Sequence, residues 1–276
     1  MPFVDVNEVR LFYEVRGGEG DPLILIHGSW VDHTTWNLVA PRLAESFQLL
    51  LYDRRGHSQS GPATIRGSIV DDALDLAALL ESTGLYPAHI LGSSMGGSVV
   101  LRLAERRPEL FRSLLLHEPP VYDLVRDDPV WGPKVAPVRQ LMEGIADLIR
   151  RGKPEDGARE FWEAFGGSKG VWERLRPEVK STFVANAPTW LEEFHDPSAI
   201  SADPVALGEF LMPALLSNGA NTVPWLQEIS DRLAALLPNV TRRILPNTGH
   251  LPHLTNPDLF LGVVQAFCLE RTIPTS

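Results

Sequence analysis

A single cysteine, Cys268, among 276 residues leaves no internal disulfide available, and a buried structural thiol is expected of it. Long apolar runs are missing as well: no stretch approaches the roughly 18 consecutive apolar residues of a membrane-spanning helix. Basic residues are outnumbered, 25 Lys and Arg against 35 Asp and Glu, giving a net charge of −10. With no Lys/Arg cluster to offset that surplus, the composition argues against nucleic acid and anionic membrane surfaces as partners. The opening MPFVDVNEVR has neither the basic patch nor the apolar stretch of a secretory leader, so a cytoplasmic protein is expected. Internal repeats and low-complexity tracts are also lacking.

What is present is a hydrophobic content of 44%, enough for a large core in a chain of this length. FVDVNEVRLFYEVRG carries two alternating runs around Asn7 and Glu8, which predicts an opening hairpin. The pattern then changes to short continuous apolar runs: LILIHG from Leu23, FQLLLYDRRG from Phe47, AHILGS from Ala88, FRSLLLHE from Phe111, PALLSNG from Pro213 and VTRRILPN from Val240. Such runs suit strands buried on both faces of a parallel sheet. Helical patterns separate most of them: Ser68 to Ser82, Met95 to Arg107, Trp225 to Leu237 and, at the end, Pro257 to Arg271. The alternation predicts an α/β fold with a mostly parallel, doubly wound, eight-stranded sheet.

Between Glu118 and Pro213 the alternation stops. Helical patterns run over Val135 to Arg151, Glu155 to Phe165 and Val171 to Ala185, and four of the seven tryptophans fall there: Trp131, Trp162, Trp172 and Trp190. We therefore expect a core domain from residues 1–120 and 210–276, with a helical cap of residues 121–209 lying over the carboxyl ends of the strands.

The stretch most suggestive of chemistry is GSSMG, residues 92 to 96, directly behind an apolar run and ahead of a helical pattern. A serine between glycines at a strand-to-helix turn is the pattern of a nucleophile elbow, which makes Ser94 the candidate nucleophile. A serine hydroxyl needs a base within hydrogen-bond reach. His250, in the loop after the last strand, fits best among the eight histidines. His253 reads as a packed or capping histidine and His27 as a structural one. An imidazole base needs a carboxylate behind it to hold one tautomer. The loop after the 214–218 strand, SNGANTVPW, has Thr222 where an aspartate would be expected. Glu118, at the end of SLLLHEPP, is the alternative, one strand beyond the nucleophile strand. Asp123 is the second candidate.

LIHGSW, LYDRRGHSQSG, GSSMGG and NTGH, in that order, resemble the α/β-hydrolase superfamily over essentially the whole chain. The resemblance implies backbone N–H donors to an oxyanion hole from Ser29, which follows the His-Gly pair, and from Met95, which follows the nucleophile. A glutamate acid after the sixth strand, with serine and histidine, is similar to the arrangement of zearalenone-type lactonases. Their cap tryptophan in a Pro-x-Trp setting resembles APTW and points to Trp190 as a substrate contact; separately, Trp30 is read as a substrate contact because the cap tryptophans, with Trp30, Trp36, Phe161 and Phe165, suggest an apolar substrate held by burial. HGSW departs from those lactonases, which lack the histidine.

The function expected is hydrolysis of an apolar carboxylic ester or lactone through an acyl-enzyme, acting on a small molecule without cofactor. No metal is expected, because no paired ligand spacing of the zinc type occurs. Two alternatives carry over: another enzyme on the same scaffold, such as a carbon–carbon bond hydrolase, perhydrolase or cofactor-free lyase, and a small-molecule receptor that retains the triad. A homodimer is as compatible with the sequence as a monomer.

Overall fold

The computed structural model describes residues 2–61, 67–165 and 170–270. Its strands are β1 (Phe3–Val6), β2 (Val9–Arg16), β3 (Pro22–Ile26), β4 (Gln48–Tyr52), β5 (Ala88–Ser93), β6 (Phe111–His117), β7 (Ala214–Gly219) and β8 (Val240–Leu245). The helices are α1 (Ala40–Leu43), α2 (Ile69–Thr83), α3 (Met95–Arg106), α4 (Gly132–Arg150), α5 (Pro154–Phe165), α6 (Val171–Arg174), α7 (Pro177–His195), α8 (Pro204–Gly208), α9 (Pro224–Leu236), α10 (Pro252–Thr255) and α11 (Pro257–Leu269). The eight strands form one sheet in the order β1-β2-β4-β3-β5-β6-β7-β8, parallel from β4 to β8, with β2 antiparallel to both its neighbours. The hairpin turns at Asn7 and Glu8, both with positive φ, the backbone a two-residue type I′ turn requires.

Strand alternation separates two cores. Ile24, Ile26, Leu50, Ile90, Leu114 and Leu216 face α2, α3 and α9, while Leu23, Leu25, Leu49, Leu51, Leu91, Leu115 and Leu215 face α1 and α11. Both faces are buried, which is why these strands read as unbroken apolar runs. Helix α2 begins with a reciprocal capping box between Ser68 and Asp71 and stops at Gly84 in the left-handed region, φ 69°; these are the start and stop signals the sequence carries there.

Helices α4 to α8 lie between β6 and β7, and α4 to α7 enclose a third core built on Trp162, Trp172, Phe183 and Trp190. Here the helix boundaries differ from the sequence expectation. The run from Val171 to Ala185 is two helices, because Arg176 precedes a proline and takes an extended backbone, φ −67° and ψ 148°. The second of them passes through Pro188 instead of stopping before it. Side chains beside that proline hold α7 to the core: Asn186 accepts from Ser58 N–H at 3.0 Å and donates to Trp30 O at 3.1 Å, and Thr189 donates to Gly56 O at 2.9 Å. These tertiary bonds offset the backbone bond that a proline removes. At the other end of the chain, Arg271 lies outside the described residues. Among the described residues no helix is long and apolar enough to cross a membrane.

Candidate active site

Ser94 sits between β5 and α3 with φ 53° and ψ −124°, a backbone that costs a residue with a Cβ about 1 to 3 kcal/mol. The turn is possible because its neighbours have no side chain. A Cβ on Gly92 would lie 2.3 Å from Gly96 O, and one on Gly96 would lie 2.4 Å from Ile26 O. The strain presents the Ser94 side chain to a cleft at the carboxyl edge of the sheet. Its position also puts it at the amino terminus of α3, where the N–H of Met95 has no partner within the helix and the helix dipole favours negative charge.

Strand register sets the next residue beside it. Ser93 pairs with His117 and His117 with Ser217, so Ser94 and Glu118 stand side by side where their strands end. Ser94 N–H donates to His117 O at 2.9 Å, and Glu118 N–H to Ser217 O at 3.3 Å. Glu118 has φ 47° and no exposed surface. It accepts three hydrogen bonds: His250 Nδ1–H at 2.6 Å and Thr222 Oγ1–H at 2.9 Å on Oε2, and Gly219 N–H at 2.8 Å on Oε1. Because a carboxylate only accepts, Nδ1 of His250 carries its proton and Nε2 is left as the acceptor. A Cβ on Gly219 would fall 2.4 Å from Thr248 O and 2.5 Å from Gly249 O. The close approach of that loop is what carries His250 to Glu118.

Burial by itself would raise the Glu118 carboxyl, but the bond from His250, the nearby His117 and His250 charges and the Gly219 N–H outweigh it and hold it at about 2. A carboxylate whose folded value is depressed stabilises the fold fully above its unfolded value, near 4.5, and loses that contribution as pH falls toward about 2. The contribution is about 3 kcal/mol. Urea midpoints measured against pH should therefore show an acid limb between those values that Glu118→Gln flattens; parallel profiles for the two proteins would remove the assignment.

The cleft is lined by Gly28, Ser29, Ser93, Ser94 and His250 on one side and by Phe161, Trp162 and Phe165 from α5 on the other. Thus Ser94, Met95, Ser29, Glu118 and His250 are brought to one place. Asp123 is not among them: it pairs with Arg126 at 2.8 Å. His253 also lines the cleft, but its Nε2 meets Thr35 Oγ1 at 3.1 Å, and burial together with the His117 and His250 charges pushes it down to about 3. His27 is structural, its Nδ1 on Gly28 O and its Nε2 accepting from Arg54 N–H.

Trp190 and Trp30 lie behind the lining of the cleft, packed against Phe161. Neither is among the described residues that line the cleft. They stack on each other at 5.0 Å inside the helical core, with Trp190 also stacked on Phe194 at 5.5 Å. A helical layer outside the sheet must supply its own apolar centre, and these rings are that centre. Trp190→Ala should accordingly cost about 3 to 5 kcal/mol of stability, read by chemical denaturation; a loss below about 1 kcal/mol would show the ring to be dispensable to packing. The Trp and Phe side chains that line the cleft are Trp36, Phe161, Trp162 and Phe165. Thr222 was the other residue the sequence left without a role, since it stood only for a missing aspartate.

One group of three could in principle hold a cation among the described residues. Asp32, His33 and Asp53 each offer an atom within 4.8 Å of the others. Those atoms are already engaged: His33 Nδ1 with Asp53 Oδ1 at 2.6 Å, and Asp32 with the Thr34 N–H, the Thr34 hydroxyl and the Ser58 hydroxyl.

A model of the alpha/beta hydrolase family matches residues 23–263, and the chain belongs to that family. It is 27% identical to a pimeloyl-acyl-carrier protein methyl ester esterase of Nitrosospira multiformis over 95% of this chain and 99% of that one. It is 30% identical over 148 residues to the dihydrolipoyllysine-residue acetyltransferase component of the acetoin cleaving system of Cupriavidus necator, and that match spans 53% of this chain but only 40% of the relative's length. Among solved structures, the enol-lactonase from Burkholderia xenovorans LB400 superposes with a TM-score of 0.78 at 20% identity, covering 97% of this chain and 100% of that one. That likeness is one of fold.

Proposed function

We propose that the protein hydrolyses a carboxylic ester or lactone of an apolar small molecule through an acyl-enzyme. The observation that carries this reading is the 2.6 Å contact of fully buried Glu118 with His250 Nδ1, in the same cleft as a serine held on a strained turn. Ser94 Oγ attacks the carbonyl carbon while His250 Nε2 takes its proton. The resulting imidazolium is stabilised by the Glu118 carboxylate, which stays ionised throughout. The N–H groups of Ser29 and Met95 stabilise the oxyanion, each worth about 3 to 4 kcal/mol in the transition state. The tetrahedral adduct collapses, His250 gives its proton to the leaving alkoxide oxygen, and the alcohol departs. Water then attacks the acyl-serine with its proton passing to His250, and the acid leaves as Ser94 recovers the proton. In a lactone the alcohol and the acid are two ends of one product.

Val31, Trp36, Phe161, Trp162, Phe165 and Leu251 on the cleft wall support an apolar substrate held chiefly by burial. The full-length similarity to a methyl ester esterase supports an ester bond as the one cleaved. The test is a panel of lactones, aryl esters and alkyl esters given to the wild-type protein and to Ser94→Ala, with the acyl-enzyme sought by intact mass. Turnover by wild type alone, with an acyl adduct on Ser94, is the expected result. Equal turnover by both proteins, or none by either, would reject the reading.

A further inference from the structure

Under the cleft lies a buried polar cluster that this acyl-transfer scheme leaves unused. Arg54, just after β4, has no exposed side-chain surface, and Glu193 on α7 has 4%. Arg54 Nη2 donates to Glu193 Oε1 and, at 3.3 Å, to Gly28 O, while Nη1 donates to Asp72 Oδ2 at 3.1 Å. Glu193 Oε2 accepts from the Ser29 hydroxyl at 2.5 Å. Burial pushes the Asp72 carboxyl up, and Glu193 is the partner of Arg54 that α7 contributes. The carboxylate from α7 thus grips the same short loop twice, once directly through Ser29 and once through Arg54.

The peptide between Gly28 and Ser29 is trans, so its carbonyl and its N–H point to opposite sides. The carbonyl is held by Arg54 Nη2 and by His27 Nδ1 at 2.8 Å, which leaves the N–H facing away from that cluster. Gly28 itself lies against the nucleophile: a Cβ there would be 3.2 Å from Ser94 Cβ. We infer that Glu193 is a positioning residue for the oxyanion site: by holding Arg54 and the Ser29 hydroxyl together, α7 sets the Gly28–Ser29 peptide so that Ser29 N–H meets the charge developing at Ser94. Docking of the helical layer and competence of the oxyanion donor are then one event. The inference rests on the acyl-transfer reading.

The test compares wild type, Glu193→Gln and Ser29→Ala, the last of which removes the hydroxyl but keeps the N–H and the Arg54–Glu193 pair. For each, kcat and KM are measured on an aryl ester, with inhibition by an aryl trifluoromethyl ketone, whose serine adduct carries an oxyanion, and by the matching ether, which has no carbonyl. Glu193→Gln should lower kcat and ketone affinity together by about 10- to 100-fold, as expected for a misaligned donor, with KM and ether affinity nearly unchanged. Ser29→Ala should lower the same two quantities in the same proportion by about threefold to tenfold. A role confined to anchoring α7 would alter thermal stability and ether affinity instead. Should Glu193→Gln lose cooperative unfolding, the ratio in Ser29→Ala decides. Unchanged kcat and ketone affinity in the folded variants, or a loss confined to KM, overturns the inference while wild-type turnover stands. A wild type that neither cleaves esters nor binds the ketone rejects the acyl-transfer reading itself.

Discussion

Glu118→Gln is expected to lower turnover by about four orders of magnitude, the size of effect that follows when an imidazole base is locked in the wrong tautomer. The geometry of the glutamate gives the reason. Its Oε1 accepts from Gly219 N–H, a backbone donor that cannot rotate, and its Oε2 accepts from His250 and from Thr222. A glutamine in that place must offer its one oxygen to Gly219 and its amide NH₂ to His250. The Thr222 hydroxyl can turn to accept from the amide, but Nδ1 can do so only by giving up its proton. The proton then moves to Nε2, and the base that Ser94 requires no longer exists. Asp123→Asn, which disturbs only the pair with Arg126, should leave turnover within about twofold of wild type, as is usual for surface changes. Steady-state kinetics on the substrate found in the ester and lactone panel decides the matter, and full activity in Glu118→Gln would sink the assignment of the acid.

Ser94→Ala should abolish turnover, by about a millionfold, and leave the fold as stable as before. Alanine keeps a Cβ at φ 53° and so keeps the strain. Ser94→Gly should be equally inactive yet more stable, by about 1 kcal/mol once the added freedom of the unfolded chain is subtracted from the strain relieved. Denaturation midpoints of the three proteins measure this. A glycine variant less stable than the alanine variant would mean that the turn stores no strain, and residual turnover in both would mean that another group carries the attack.

Much of the site can be read in the chain because it is built from local features. GSSMG must turn sharply, since Gly92 and Gly96 occupy places where a Cβ would collide with backbone, and the residue between them is therefore fixed in position as well as in chemistry. His250 is legible for a similar reason: it follows β8 directly, at the end of the sheet where Ser94 also lies. Glu118 was found by elimination, because the loop after β7 has no carboxylate, and only the register of β5, β6 and β7 explains why it stands beside Ser94. Trp30 and Trp190 are not legible in the same way. A tryptophan in a helical insertion carries the same sequence signal whether it faces a cleft or its own layer's core, and here the rings are buried in that core. Helix boundaries near Pro177 and Pro188 followed a similar division. The first proline split a helix, as backbone sterics require, whereas the second was carried by Asn186 and Thr189 bonding to loops distant in sequence.

By itself, then, the amino-acid order determined the alternation of strands and helices, the strained turn at Ser94 and the place of His250 just beyond the last strand, because each depends on neighbours a few residues away. Tertiary structure alone decided how Thr222 and Gly219 hold the Glu118 carboxylate, and that Arg54, Glu193 and Ser29 converge behind the Gly28–Ser29 peptide. Those are encounters between segments separated by tens to more than a hundred residues, and no local pattern can specify them. They arise from sheet register and from helix docking, which are properties of the packed whole.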